Sequence, residues 1–431
     1  MSFAGAILAG TLLLTLPFCS ASGRLSFIDA LFTSTSAICV TGLVVVDTAT
    51  HFTLPGQIII LVLIQLGGLG IMTFSTMVLL AAGRSITIND RILVQEGYHP
   101  GSPRSFKALI KNIFMFTAII EGAGFVLLFL RFLQDHPWPR ALFSGLFHSV
   151  SGFCNAGFSV YSNSLMGFRG DVFINLVMAH LIILGGLGFL VIGEVVKAGS
   201  GLIKGTKRKL SLHSKMVLTS TTILISGSFF IFLALEKDQA LRSFSWKDKI
   251  LASFFQVVTP RTAGFNTMDL TTLGTAAVLL LMLLMFIGAS PGSTGGGVKT
   301  STFGVVLAFI RSKVAARDST HLFYRTIPQD NVVRAFTLIS LSLSVIFIAG
   351  FVVLINQPGM LMRDVFFEVF SGFGTVGLSL GITPQLSAPS KVMIILLMYA
   401  GRIGPLTLLL AFSRRRALGK YEYIEERVLI G

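Results

Sequence analysis

The chain has 431 residues, of which 53% are hydrophobic and only 12% charged, with a formal net charge of +15 and a mean hydropathy of +0.81. Soluble globular domains carry about twice that charged fraction, so composition argues against a soluble enzyme or nucleic-acid binder and for lipid as the solvent. Cys19, Cys39 and Cys154 form no CxxC pair and no His/Cys cluster, which argues against a disulfide framework or a metal site.

The first apolar segment, Ala4–Phe18, lacks a basic stretch before it and is followed by many more. It reads as a first membrane span rather than a signal peptide. The expected spans are 4–18 and 57–82, 108–132 and 172–196, 216–235 and 275–310, 332–355 and 391–412. Segments 83–111, 197–215, 311–334 and 414–431 hold 21 of the 34 Lys and Arg. The positive-inside rule makes these loops cytoplasmic, along with both chain ends. The basic excess is thus mainly a topology signal.

Four short segments between the spans resemble one another: SAICVTGL, SGFCNAGF, TPRTAGFN and SGFGTVGLS. They align on Gly42, Gly157, Gly264 and Gly377, which follow one another at nearly equal intervals along the chain. Ten residues before each glycine stands a phenylalanine: Phe32, Phe147, Phe254 and Phe367. Thirteen before stand Asp29, Ser144 and Asp364, expected as helix N-caps, with Leu251 departing in the third unit. Each glycine segment follows an apolar helix of about a dozen residues, too short to cross a membrane, which takes about 20. Such helices enter and turn back, and their non-helical ends are tolerated only where they line a cavity or are buried in protein. The expected fold class is an all-α integral membrane protein. It has four repeats of span, pore helix and span around a pseudo-four-fold pore, giving eight membrane helices and four re-entrant ones. The units run 1–83, 84–198, 199–313 and 314–414, followed by a cytoplasmic tail, 415–431.

A dehydrated cation in a membrane needs oxygen ligands in place of water, and backbone carbonyls supply them without fixed charge. Glycine adopts at low cost the conformation that aims carbonyls at one axis. The candidate ion-binding residues are Val40, Thr41 and Gly42; Asn155, Ala156 and Gly157; Thr262, Ala263 and Gly264; and Thr375, Val376 and Gly377. The last triplet, TVG, matches the start of the potassium-channel filter motif. The alternative for a glycine in a span is close helix packing, which suits Gly67, Gly68, Gly185 and Gly186 better than these four.

The segments TSAICVTGLVVVDTATHFT, QLGGLG, LGGLGF, TPRTAGFNT and AGRIGPLT resemble the Trk/Ktr/HKT superfamily. Length and span number are most similar to its bacterial Ktr membrane subunits. The resemblance implies potassium uptake across the bacterial cytoplasmic membrane, often with sodium as the coupling ion, and a homodimer with one pore per protomer. It also implies a cytosolic ring of RCK domains binding ATP or ADP, of the KtrA type. No cofactor is expected on this chain, since it carries no Walker motif and no strand-to-helix dinucleotide fingerprint.

The span 275–310 runs 36 residues, about 54 Å as one helix against a hydrocarbon core of about 30 Å. It is interrupted by GASPGSTGGGVK, which resembles the superfamily's intramembrane gating loop. Half-helices are expected at 275–287 and 300–310. Gly288, Ser290, Gly292, Ser293, Thr294, Gly295, Gly296, Gly297 and Lys299 of this loop are the candidate gate residues, together with Arg402. Arg402 follows Gly377 at almost the same interval as Gly288 follows Gly264, so repeat register gives them similar depth. A mid-span arginine is costly, and it serves either as a barrier and loop anchor or as helix–helix glue. Glu121 is expected to make a buried structural hydrogen bond. Cys39 and Cys154 are expected to be small packing residues, and Arg261 either buttresses its loop or opposes cations. Two other classes stay open: a secondary transporter of another cation or small solute, which normally uses inverted halves, and a membrane enzyme, for which His180 and Glu121 lack evident partners.

Overall fold

A computed structural model describes residues 3–21, 23, 25–70, 103–206 and 209–404. Among the described residues three helices are each long and apolar enough to cross a membrane: the Ile110–Phe132 part of Pro103–Phe132 (α5), Leu212–Glu236 (α9) and Gln329–Asn356 (α13). A helix rises about 1.5 Å per residue, so even α9, with its 25 residues, is longer than a hydrocarbon core of about 30 Å. Their outward faces carry large apolar side chains, among them Ile119, Leu130, Ile223, Phe230, Phe347 and Phe351, all more than half exposed. In water such faces would be a liability; against lipid tails they are neutral, and the helices are held inward by packing instead.

Four shorter helices precede the glycine segments: Phe27–Ile38 (α2), Trp138–Phe153 (α6), Trp246–Val258 (α10) and Met362–Gly374 (α14). Their starts differ from the sequence expectation. Ser26 and Ser245 are the N-caps of α2 and α10, each accepting from the backbone N–H three residues on, at Asp29 and Asp248. Asp29 and Asp364 lie inside the first turn, where a carboxylate complements the helix dipole, and Ser144 sits mid-helix. Counting back from the glycine locates a position along a helix but not the residue where helical hydrogen bonding begins.

The second spans are not continuous. Leu54–Leu69 (α4), which follows the one-turn helix Thr48–His51 (α3), stops at Gly70 (φ 80°). Val172–Leu187 (α7) stops at Gly188 (φ 91°) and Ala388–Ile403 (α15) at Gly404 (φ 95°). After Gly188 a further helix, Phe189–Ile203 (α8), leaves at 105° to α7. Thr275–Phe286 (α11) and Thr300–Val314 (α12) flank the interruption at the glycine-rich loop, close to the expected half-helices. Besides the break expected at 288–299, the described helices α4, α7 and α15 thus also end at glycines within their expected spans. The GGLG and GRIG motifs end their helices because glycine alone takes the left-handed turn there cheaply. Residues 71–82 and 405–412 of the expected spans lie outside the described residues. The N-terminal helix Phe3–Leu14 (α1) has 12 residues, fewer than a spanning helix needs. A hairpin, Thr320–Leu322 (β1) paired antiparallel with Arg325–Ile327 (β2), links α12 to α13.

Candidate functional site

Each short helix ends in a loop of one pattern. The glycine has positive φ (92° at Gly42, 70° at Gly157, 77° at Gly264, 91° at Gly377), and so has the residue two before it: Val40, Asn155, Thr262 and Thr375, at 50–73°. Eight left-handed residues in four equivalent places, four of them not glycine, are held by their surroundings and not by propensity. The hydroxyl residue that opens each motif does part of the holding. The Ser36 carbonyl accepts from Thr41 N–H, that of Ser151 from Ala156, that of Thr259 from Ala263 and that of Ser371 from Val376, all at 2.7–2.9 Å. Ser36 and Ser371 also accept on their Oγ from Gly42 and Gly377 N–H at 3.0 Å. Ser151 and Thr259 instead donate to the carbonyls of Phe158 and Phe265. These four residues stood in the aligned motifs, but a hydroxyl's role behind a loop is visible only once the loop is folded.

The third unit is one residue shorter between hydroxyl and glycine. Its fully buried phenylalanine is consequently Phe255, matching Phe32, Phe147 and Phe367, while Phe254 is partly exposed. The ungapped alignment that chose Phe254 could not see the deletion.

The four loops close a ring. A Cβ built on Gly42 would lie 2.6 Å from the Ala156 carbonyl oxygen and 2.9 Å from Gly157 Cα. One on Gly157 would lie 2.8 Å from the Ala263 oxygen and 3.1 Å from Gly264 Cα. One on Gly264 would strike the Val376 oxygen and lie 3.2 Å from Gly377 Cα, and one on Gly377 would strike the Thr41 oxygen and lie 2.9 Å from Gly42 Cα. Each glycine thus abuts the carbonyl before the next glycine, and the fourth returns to the first. The C-terminal, electronegative ends of α2, α6, α10 and α14 converge on this ring. The chain beyond the glycines lines a cavity of about 400 Å³ that all four glycines border, with Asp47, Ser159, Asn266, Asp269 and Ser379 in its wall.

The chain before the glycines meets the loop 288–299. Gly296 N–H donates to Thr375 Oγ1 at 3.1 Å, and a Cβ on Gly295 would strike Thr262 Oγ1. Gly292 and Gly297 have positive φ, 67° each. Thr294 Oγ1 is 3.1 Å from the carbonyls of Phe153 and Gly185, and the Asn155 side-chain amide lies 3.4 Å from it. Ser290 Oγ pairs with Thr300 Oγ1 at 2.9 Å, and Ser293 Oγ donates to the Ser290 carbonyl at 2.6 Å. Lys299 Nζ donates back to the Gly295 carbonyl at 2.8 Å. Gly288 N–H donates to the Val298 carbonyl at 2.9 Å, pinching the loop's ends together. Arg402 donates from its two terminal nitrogens to the carbonyls of Thr294, in the loop, and Gly67, at the end of α4. Both depth-matched features of the sequence therefore touch.

The helix-packing glycines do what close packing requires. A Cβ on Gly67, Gly185 or Gly401 would strike the carbonyl of Ile38, Phe153 or Phe373, so each lets its helix lie on the end of a short helix. Gly68 faces Cys154 Sγ, and Gly186 lies near Asn155. Glu121 accepts from Gln65 Nε2 at 3.3 Å and lies 3.7 Å from Cys154 Sγ. Arg261 is 3% exposed, and its guanidinium makes no hydrogen bond among the described residues.

Residues 5–422 match the family described as TrkH, cation transport protein. The chain belongs to that family. It is 40% identical over 410 residues to the Ktr system potassium uptake protein B of Bacillus subtilis (strain 168), covering 95% of this chain and 90% of the relative. It is 38% identical over 432 residues to the potassium/sodium uptake protein NtpJ of Enterococcus hirae, covering 99% and 94%. Its fold is similar to that of the crystal structure of the potassium transporter TrkH from Vibrio parahaemolyticus, with a TM-score of 0.74 at 21% identity over 96% of this chain and 85% of that one. Membership in the TrkH family makes this chain a membrane cation transport protein and not an enzyme.

Proposed function

We propose that this chain takes up potassium ions across a bacterial cytoplasmic membrane, with the ring of four glycine loops as its selectivity filter. The observation that carries the reading is the closure of the ring: four backbone segments, each preceded by a helix end, bring carbonyl oxygens around one axis. A potassium ion entering from the 400 Å³ cavity would exchange water for these oxygens, as in other carbonyl filters. The relatives' names as potassium uptake proteins support potassium as the ion, and NtpJ's name supports a part for sodium. The loop 288–299 is the gate, held by Arg402, and the cationic groups Lys299 and Arg402 raise a barrier to an ion leaving the ring in a low-dielectric cavity. The four units 1–83, 84–198, 199–313 and 314–414 each contribute one loop, and both termini with the tail 415–431 face the cytoplasm. The chain works as a homodimer under a cytosolic RCK-type ring that binds ATP or ADP. Isotope uptake in cells unable to grow on low potassium tests the core of this. Expression of the chain should restore growth and saturable potassium uptake; accumulation of another solute without potassium uptake would overturn it.

A further inference from the structure

We infer that His148 and Glu368 are positioning residues that hold the outer mouth of the ring from two opposite sides, a role that rests on the ring being the selectivity filter. Both are buried, at 0% and 1% exposure, three residues before the hydroxyl residue of their helices, α6 and α14. Both reach across to the serine two residues past the ring glycine. Ser159 Oγ lies 2.9 Å from His148 Nε2, and Ser379 Oγ donates to Glu368 Oε2 at 2.8 Å.

The two arrangements match in detail. His148 Nδ1 faces the Ser144 carbonyl at 2.8 Å, which places the ring proton on Nδ1 and leaves Nε2 to accept from Ser159. Ser159 Oγ in turn accepts from Tyr161 N–H, and Ser379 Oγ from Gly381 N–H, both at 3.0 Å. Each serine is therefore fixed by one bond it donates to a buried acceptor and one it accepts from the chain it must shape. Glu368 also accepts from Thr383 Oγ1, which ties the following turn to the same carboxylate. Ser159 and Ser379 both line the outer cavity beside Gly157 and Gly377.

The other two units lack the device. At the same place Thr33 turns its hydroxyl to the Asp29 carbonyl at 2.8 Å, and the residue two past Gly42 is Val44. In the third unit the one-residue offset puts Gln256 there, and its amide makes no hydrogen bond among the described residues. Because the ring runs in chain order, the second and fourth loops are opposite one another, so the outer mouth is clamped along one diagonal.

Purified full-length protein in proteoliposomes tests this through the potassium concentration for half-maximal flux, the maximal flux and the preference for potassium over sodium. Glu368→Leu, Ser379→Ala and Ser159→Ala should each shift half-saturation or preference by about fivefold, the size of one lost hydrogen bond. The double variant Glu368→Leu/Ser379→Ala should be no worse than the stronger single, and Glu368→Gln, which keeps an acceptor, should restore most of the effect. The inference is overturned if maximal flux falls only in step with folded protein while half-saturation and preference stay within about twofold. It is equally overturned if Gln is as damaging as Leu, or if the two single effects multiply. Gly377→Ser, run alongside, separates the two levels: if it alters preference and the Glu368 and serine variants do not, the clamp is wrong and the filter stands. If none alters preference, the filter reading falls as well.

Discussion

A single methyl group decides whether the ring can close. Gly377 at φ 91° and Gly264 at φ 77° occupy backbone that costs an L-residue about 1–2 kcal/mol, and any Cβ there would also strike a neighbouring carbonyl. If the ring is the filter, replacing either by serine should reduce the preference for potassium over sodium by about tenfold or more, since both strain and displacement fall on the ring's carbonyl oxygens. Competing potassium and sodium fluxes in proteoliposomes measure this, and unchanged affinity and exclusion would remove these glycines from the filter. Arg402 is decided at the same scale. Its two bonds span the loop and the end of α4, a geometry a lysine could not reproduce with one nitrogen. Arg402→Ala should raise flux severalfold with ion preference unchanged, and Arg402→Lys should give an intermediate rise; unaltered flux in folded Arg402→Ala would return the residue to helix–helix glue.

At the scale of elements, the broken second spans matter most. The loop 288–299 leaves and rejoins its helices at nearly one point, where Ile287 and Val298 bridge in parallel. Excising residues 291–297 should therefore leave α11 and α12 in place while removing the segment that touches Thr262 and Thr375. Flux should rise as it does in Arg402→Ala, and combining the two changes should add little, because both act on one contact. Flux measured on the single and combined variants checks this, and a further multiplicative rise would mean that two separate barriers exist. Two of the short helices, α2 and α10, are anchored differently, by the capping serines Ser26 and Ser245 at their N-termini. Losing one such cap costs about 1 kcal/mol, so Ser26→Ala and Ser245→Ala should lower the melting temperature of detergent-solubilised protein by a few degrees, with flux preference intact. A loss of preference without a stability change would place the caps in the filter's function instead.

Across the whole molecule, the ring joins elements from opposite ends of the chain, and so do its braces. Lys391 on α15 pairs with Asp29 on α2 at 2.7 Å, tying helices from opposite ends of the chain together. Regulation belongs to this scale too. The chain carries no nucleotide-binding motif of its own, so flux through purified protein should not respond to ATP or ADP, and a response should appear only when a cytosolic nucleotide-binding partner is added. Flux with and without nucleotide, before and after addition of that partner, checks it. A clear response of the isolated chain would overturn the division of labour.

The amino-acid sequence by itself determined the solvent, the four glycine segments, the short helices before them and the break at 288–299. These are written in composition, in the length a helix needs to cross lipid, and in glycines that no side chain can replace. It also put Arg402 at the depth of the loop, because equal spacing along equivalent chains means equal height. Only the tertiary structure decided the rest. Helix starts moved to Ser26 and Ser245, because a cap is defined by which N–H it meets and not by its distance from a glycine. The helix ends at Gly70, Gly188 and Gly404 were hidden because GGLG and GRIG read equally as a packing surface and as a helix end. The one-residue offset that exchanges Phe254 for Phe255, and the pairing of His148 with Ser159 and of Glu368 with Ser379, depend on contacts across the turn. An alignment records order along the chain, and these contacts exist only when the chain has folded back on itself.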